Sequence, residues 1–278
     1  MKIELASSYG FCYGVKRAID IAEKHKNSFT YGPLIHNKDE IKRLKEGFNI
    51  GLIEKIDDVE NNNAIVIRTH GIPKNELAVL KEQENKIIDA TCPYVTTPQN
   101  IVAKMSKEGY SVIIFGDKEH PEIKGVVSYA EDENHAFVVL DKKELDELPL
   151  KNKVALVSQT TKKPADFLQI VNALILTHKE VRVFNTICNA TFENQDAASE
   201  LAKRADVMIV IGGRHSSNSK MLHSISEQEC KESYLIENET ELDTSWFTNK
   251  KICGISAGAS TPDWIIQNVV NRIQEMNN

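Results

Sequence analysis

Cys12, Cys92 and Cys188 are the residues whose type and placement point most directly to chemistry. Each sits where an apolar run gives way to a polar turn that then opens a helical pattern: Gly-Phe-Cys12-Tyr-Gly-Val, Asp-Ala-Thr-Cys92-Pro and Asn-Thr-Ile-Cys188-Asn. They lie too far apart for a local zinc knuckle, and the chain has no Cys-x-x-Cys motif. Each heads a series of polar loops, which reads Cys12, His36, His70; then Cys92, His120, Thr160; then Cys188, Ser216, Ser260. A Cys-first triplet met three times implies three similar lobes around one centre. Three thiolates at that centre would bind an iron–sulfur cluster and leave one iron open for chemistry.

Other side chains fall around this frame. His36, His70 and His120 stand at strand ends beside Gly or Pro, where backbone can approach a ligand closely. His25, His135, His178 and His223 have charged or surface-like neighbours and read as solvated, and His215 is ambiguous beside Ser216 and Asn218. Ser216, Ser217 and Asn218 have the types of a helix cap, as do Ser260 and Thr261, and a capped helix N-terminus is also an anion site. Glu122, in His120-Pro-Glu122, is the best-placed general acid, although the helix dipole alone would favour a glutamate there. Cys230 and Cys253 read as buried small hydrophobes. The nucleotide-binding Gly-rich loops are absent, which removes support from nucleoside triphosphate and NAD chemistry.

The elements that must position these residues alternate between strand and helix. Short Val- and Ile-rich runs predict strands at 3–6, 64–67, 86–90, 112–115, 137–140, 154–157, 181–184, 207–211, 234–236 and 251–255. Runs of this kind suit a parallel sheet covered on both faces. Helical spacing links Val15, Ala18, Ile19 and Ala22, then Phe167, Leu168, Val171, Leu174 and Ile175, and finally Ile265, Ile266, Val269, Val270 and Ile273. Thr261-Pro262 reads as N-cap and first helical residue of the last of these. The fold class is therefore α/β, with three similar lobes in pseudo-threefold arrangement around the cluster. The repeat sets the lobes at 13–92, 93–187 and 188–278, with 1–12 packing onto the third. Ligands of open α/β sheets bind beyond the carboxyl ends of the strands, which is where all the polar loops fall.

The chain's 278 residues suffice for two or three small domains. A net charge of −6 argues against nucleic acid as partner, since neutralising phosphates needs a basic face. With no apolar stretch after Met-Lys-Ile-Glu and no run long enough to cross a bilayer, neither a signal peptide nor a membrane partner is expected. The expected location is cytoplasmic.

Taken together, nine stretches resemble the 4-hydroxy-3-methylbut-2-enyl diphosphate reductase family, and they occur in family order from one end of the chain to the other. They are Gly10-Phe-Cys-Tyr-Gly-Val15, Gly32-Pro-Leu-Ile-His-Asn37, Thr69-His-Gly71, Asp89-Ala-Thr-Cys-Pro93, His120-Pro-Glu122, Gln159-Thr-Thr161, Thr186-Ile-Cys188, Ser216-Ser-Asn-Ser219 and Ala257-Gly-Ala-Ser260. The resemblance implies the terminal iron–sulfur oxidoreductase of the methylerythritol phosphate route to isoprenoids. It implies a 4Fe-4S cluster on Cys12, Cys92 and Cys188. It implies an allylic diphosphate substrate held by His36, His70, Ser216, Asn218 and Ser260, with Ser217 and His120 also at the site. Glu122 and Thr160 resemble the pair that delivers the proton and orients the hydroxyl, with His120 beside them. The products implied are isopentenyl and dimethylallyl diphosphate, and the electron donor a ferredoxin or flavodoxin. Lys118-Glu119 and Arg214-His215 are charged departures beside the motifs.

Three other classes stay open on the residues alone. A different three-lobed iron–sulfur enzyme, such as quinolinate synthase or an aconitase-like hydro-lyase, would use the open iron without net reduction. A mixed Cys/His zinc site would be colourless. A plain binding module for phosphorylated metabolites would survive loss of all three cysteines.

Overall fold

In the computed structural model the described residues are 1–35 and 37–277, and the side chain of Thr191 lies outside the description. The chain opens with β1 (Lys2–Leu5) and α1 (Tyr13–Lys24). There follow β2 (Phe29–Tyr31), α2 (Lys38–Phe48), β3 (Gly51–Ile53), β4 (Ala64–Ile67), α3 (Lys74–Glu82) and β5 (Lys86–Asp89). Next come α4 (Pro93–Lys107), β6 (Ser111–Phe115), α5 (Pro121–Val127), β7 (Ala136–Val139), β8 (Lys153–Ser158), α6 (Pro164–Thr177) and β9 (Glu180–Val183). The last stretch is α7 (Asn189–Ala202), β10 (Val207–Ile211), α8 (Ser217–Glu229), β11 (Ser233–Ile236), β12 (Ile252–Ala257) and α9 (Asp263–Met276). No helix among the described residues is long and apolar enough to cross a membrane.

The strands form three four-stranded sheets, ordered β3-β2-β4-β5, β7-β6-β8-β9 and β11-β10-β12-β1, and every pair is parallel. The fold is α/β with three lobes of one topology. In each lobe two strands run centrally, one lies on the outer edge, and the strand on the opposite edge leads into a cysteine. For the third sheet that edge strand is β1, from the start of the chain, in register with β12 from Lys2↔Ile252 to Leu5↔Ile255. The central strands β6 and β10 are buried along their whole length, which their near-continuous Val and Ile content allows only with helices on both faces.

β2 and β3 were absent from the expected strands. Each has three residues, too few to show the two-residue period of a strand. They exist because β2 pairs with β4 on one side and β3 on the other. The α9 boundary also differs from expectation. Pro262 occupies the N-cap position and the helix begins at Asp263. The Thr261 hydroxyl instead donates to the carbonyl of Ile211 at 2.9 Å, tying the turn to the end of β10. The apolar stripe of α9 is as read: Ile265, Ile266, Val269 and Ile273 are buried against β10 and β12. Each such side chain contributes about 1.5–3 kcal/mol through burial.

Contacts divide the chain into two compact units, one of Met1–Lys16, Ile35–Gly47 and Asn189–Asn278, the other of Arg17–Leu34 and Phe48–Cys188.

Candidate active site

The three lobes repeat one local arrangement at the carboxyl ends of their strands. After the first strand a glycine N–H donates to the end of the neighbouring edge strand: Gly32 to Ile53 at 2.8 Å, Gly116 to Val139 at 2.9 Å, Gly212 to Ile236 at 2.8 Å. After the third strand a turn offers a carbonyl to the amide of the lobe's cysteine. Cys92 donates to Thr69 at 2.9 Å, Cys188 to Thr160 at 2.8 Å and Cys12 to Ala259 at 3.2 Å. The cysteine positions are thus set by backbone bonds of the same kind in all three lobes. The same bonds make Thr160 the counterpart of Thr69 and Ala259. The counterpart of His70 and Ser260 is therefore Thr161, one residue from the position the sequence triplets imply.

Each of these cysteines stands at the start of a helix. Cys12 accepts the N–H of Lys16 at 3.0 Å on entry to α1, Cys92 is the N-cap of α4 with Pro93 behind it, and Cys188 immediately precedes α7. All three are half-buried, whereas Cys230 and Cys253 are buried. Burial pushes the thiols of those two up, that of Cys253 to about 12. Gly10 shapes the approach to Cys12. Its φ is +73°, and a Cβ there would stand 3.1 Å from Ile266 Cδ1. Thr186 shapes the approach to Cys188, its hydroxyl donating to the carbonyl of Ser158 and accepting that residue's N–H at 2.8 Å. Cys12 belongs to one unit and Cys92 and Cys188 to the other. Among the described residues no three His, Cys, Asp or Glu side chains are grouped to hold a metal ion.

The second lobe holds a buried carboxyl. Glu122 is fully buried on the first turn of α5, and burial pushes its carboxyl above the usual carboxylate range. Two hydrogen bonds from Thr160 pull the other way: its N–H donates to Oε1 at 2.8 Å and its hydroxyl to Oε2 at 2.7 Å. His120 caps the same helix, its Nδ1 accepting the Glu122 N–H at 3.2 Å. That bond needs a lone pair on Nδ1, so the neutral ring carries its proton on Nε2. The His70 and His120 rings meet edge to face with centroids 5.4 Å apart. His36 lies outside the described residues.

In the third lobe Ser216 caps α8, its hydroxyl accepting the Ser219 N–H at 3.3 Å. Ser217 is exposed. Among the described residues, Asn218 Oδ1 and Nδ2 and Ser260 Oγ are buried without a hydrogen-bond partner. A buried polar group left unpaired costs about 1–3 kcal/mol. Unpaired donors such as Asn218 Nδ2 and the Ser260 hydroxyl, near helix N-termini, are the equipment of an anion site.

Sequence reasoning missed the residues that hold these loops in place. Arg68 donates from Nε to the carbonyl of Gly71 at 3.2 Å and lies so close over Gly32 that a Cβ there would be 2.4 Å from its Nη1. Gln159, its counterpart in the second lobe, accepts the N–H of Asp117 at 3.0 Å. In the third lobe the counterpart is Gly258, and the hydroxyl of Ser219 fills the space instead, where Cβ atoms on Gly212 and Gly258 would come within 2.2 and 2.4 Å of it. Gln159, Ser219 and Gly258 lie inside the matching stretches and Arg68 beside one, but nothing in the sequence assigns them this role.

The chain matches the family model described as LytB protein over residues 3–274. It is 74% identical to the 4-hydroxy-3-methylbut-2-enyl diphosphate reductase of Sulfurovum sp. strain NBC37-1, over 99% of this chain and 100% of that one. The enzyme of the same name from Campylobacter concisus is 62% identical over the same shares of the two chains. A solved structure of (E)-4-hydroxy-3-methyl-but-2-enyl diphosphate reductase, the terminal enzyme of the non-mevalonate pathway, superposes with a TM-score of 0.76 at 40% identity, covering 99% of this chain and 100% of the other. The E-1-hydroxy-2-methyl-but-2-enyl-4-diphosphate reductase from Plasmodium falciparum does so with a TM-score of 0.87 at 28% identity, covering 97% and 86%.

Proposed function

The chain belongs to the LytB protein family, and on that footing we propose that it removes the hydroxyl of (E)-4-hydroxy-3-methylbut-2-enyl diphosphate reductively, giving isopentenyl and dimethylallyl diphosphate. It is an oxidoreductase of the kind its relatives are named for. The cofactor proposed is a 4Fe-4S cluster, and the ligands are Cys12, Cys92 and Cys188. The donor set fits: three half-buried sulfurs at helix N-termini are what such a cluster takes, while the buried thiols of Cys230 and Cys253 are not. When bound, the cluster supplies two electrons and a Lewis acid for the departing oxygen.

The chain's own residues do the rest. Ser216, Ser217, Asn218, Ser260, His36, His70 and His120 are proposed to bind the diphosphate, whose oxygens accept from the unpaired Nδ2 of Asn218 and hydroxyl of Ser260. Anchoring that end fixes where the allylic hydroxyl lies, and such positioning lowers a barrier by up to about 7–11 kcal/mol. Hydroxide is a poor leaving group at neutral pH. Glu122, raised in pKa by burial, is bonded to the Thr160 hydroxyl; once the carboxyl is protonated that bond runs the other way, and the hydroxyl gives its own proton to the substrate oxygen as it takes the carboxyl's. Water then leaves. That buried carboxyl on a hydroxyl outlet is the observation that carries the reading.

The lobes are proposed as 13–92, 93–187 and 188–278. The pairing of β1 with β12 supports the assignment of 1–12 to the third. The protein is proposed to work in the cytoplasm with a ferredoxin or flavodoxin as donor. Anaerobic purification, an absorption spectrum and iron and sulfide counts per chain test the cofactor, and reductant-dependent turnover of the diphosphate tests the reaction. A colourless, iron-free protein after anaerobic reconstitution would overturn both.

A further inference from the structure

The first turn of α2 is tied down by side chains that the proposed chemistry does not use. Glu40 is 1% exposed. Its Oε2 accepts the indole Nε1–H of Trp264 at 2.8 Å and the Nε–H of Arg43 at 2.9 Å, and its Oε1 accepts from Arg43 Nη2. Its own N–H donates to Asn37 Oδ1 at 2.9 Å, closing the helix cap. Beside it, Asp39 Oδ2 accepts from Asn238 Nδ2 at 3.2 Å. All of these residues belong to one compact unit. In sequence, α2 follows directly on His36-Asn37, and Trp264 lies one turn beyond Ser260.

A buried carboxylate is costly unless it is paired and hydrogen-bonded, and an apolar residue such as the neighbouring buried Leu44 would fill an inward position of α2 at less cost. What an apolar residue does not supply is a directional bond to the α9 N-terminus. We propose that Glu40 is a positioning residue for substrate binding: its bond to Trp264 fixes the helix start that follows His36 against the helix start that follows Ser260. The inference rests on the assignment of His36 and Ser260 to the diphosphate. Loss of the bond loosens the register of two binding segments without touching the acid or the cysteines. The effect therefore falls on binding rather than on the chemical step.

The test uses the iron-loaded enzyme. Trp264→Phe keeps the ring and deletes the donor, and Glu40→Gln keeps an acceptor oxygen for the indole. Steady-state KM and kcat for the allylic diphosphate are measured beside the calorimetric affinity for inorganic pyrophosphate, the iron content and the melting temperature. Trp264→Phe is expected to raise KM and the pyrophosphate Kd roughly tenfold, the loss of one hydrogen bond to a charged group. The expected kcat stays within about twofold of wild type, the pattern of lost uniform binding, and iron content is unchanged. Glu40→Gln is expected to retain most of the affinity. A lowered melting temperature with KM and Kd at wild-type values in Trp264→Phe would make Glu40 a structural ion pair and overturn the proposal. A wild-type enzyme that neither turns over the diphosphate nor binds pyrophosphate would sink the substrate reading itself, and the tether's role with it.

Discussion

Thr160 holds both oxygens of Glu122, one through its backbone N–H at 2.8 Å and one through its hydroxyl at 2.7 Å. The backbone bond fixes the carboxyl, and the hydroxyl is the group through which its proton is proposed to leave. Glu122→Gln keeps the size and the acceptor oxygen but has no proton to give. It is expected to lower turnover by about 10²–10⁴-fold at unchanged iron content. Normal turnover in that variant would take Glu122 off the proton path.

Thr160→Val removes the hydroxyl and leaves the backbone bond. The hydroxyl bond favours the charged carboxylate, so its loss raises the proton affinity of Glu122 further. The high-pH limb of the kcat profile, where Glu122 loses its proton, should shift to higher pH while the plateau falls. Thr160→Ser should restore both. An unmoved limb would separate Thr160 from the titrating group.

The same carboxyl makes stability depend on pH with a definite sign. Its pKa is raised in the folded chain, so between the ordinary carboxylate range and the raised value the folded state binds more protons than the unfolded one. Stability is then lost as pH rises through that window. Melting temperatures across it should decline less steeply for Glu122→Gln than for wild type. Parallel curves would mean that burial does not shift the group.

Cys92→Ser should remove the cluster, read as loss of visible absorption and of iron and sulfide. Cys253→Ala, in the interior of β12, should leave all three unchanged. A fully loaded Cys92→Ser protein would end the ligand assignment.

Gly258→Ala would place a methyl 2.4 Å from Ser219 Oγ in a fully buried spot, a clash expected to cost about 1–3 kcal/mol. Adding Ser219→Ala should recover most of the loss, because the nearest remaining atom of residue 219, its Cβ, stands 3.5 Å away. Chemical denaturation of the two single variants and the double variant measures the coupling, and simple additivity would contradict the packing described.

The sequence by itself determined the α/β class, ten of the strands, the apolar face of α9 and the types of the residues that bear chemistry. These are local properties: short Val and Ile runs and helical spacing are written in neighbouring residues, and a cysteine in a polar turn can be seen without its surroundings. Only the tertiary structure decided the rest. β2 is a strand because β4 lies beside it, and β3 because β2 does. The pairing that makes Thr160 the counterpart of Thr69 and Ala259 comes from amides of cysteines far along the chain. The bonds of Glu122 to Thr160 and of Glu40 to Trp264 span 38 and 224 residues. No periodicity reports bonds of that reach, because they form only when separate elements pack and a buried polar group must find a partner.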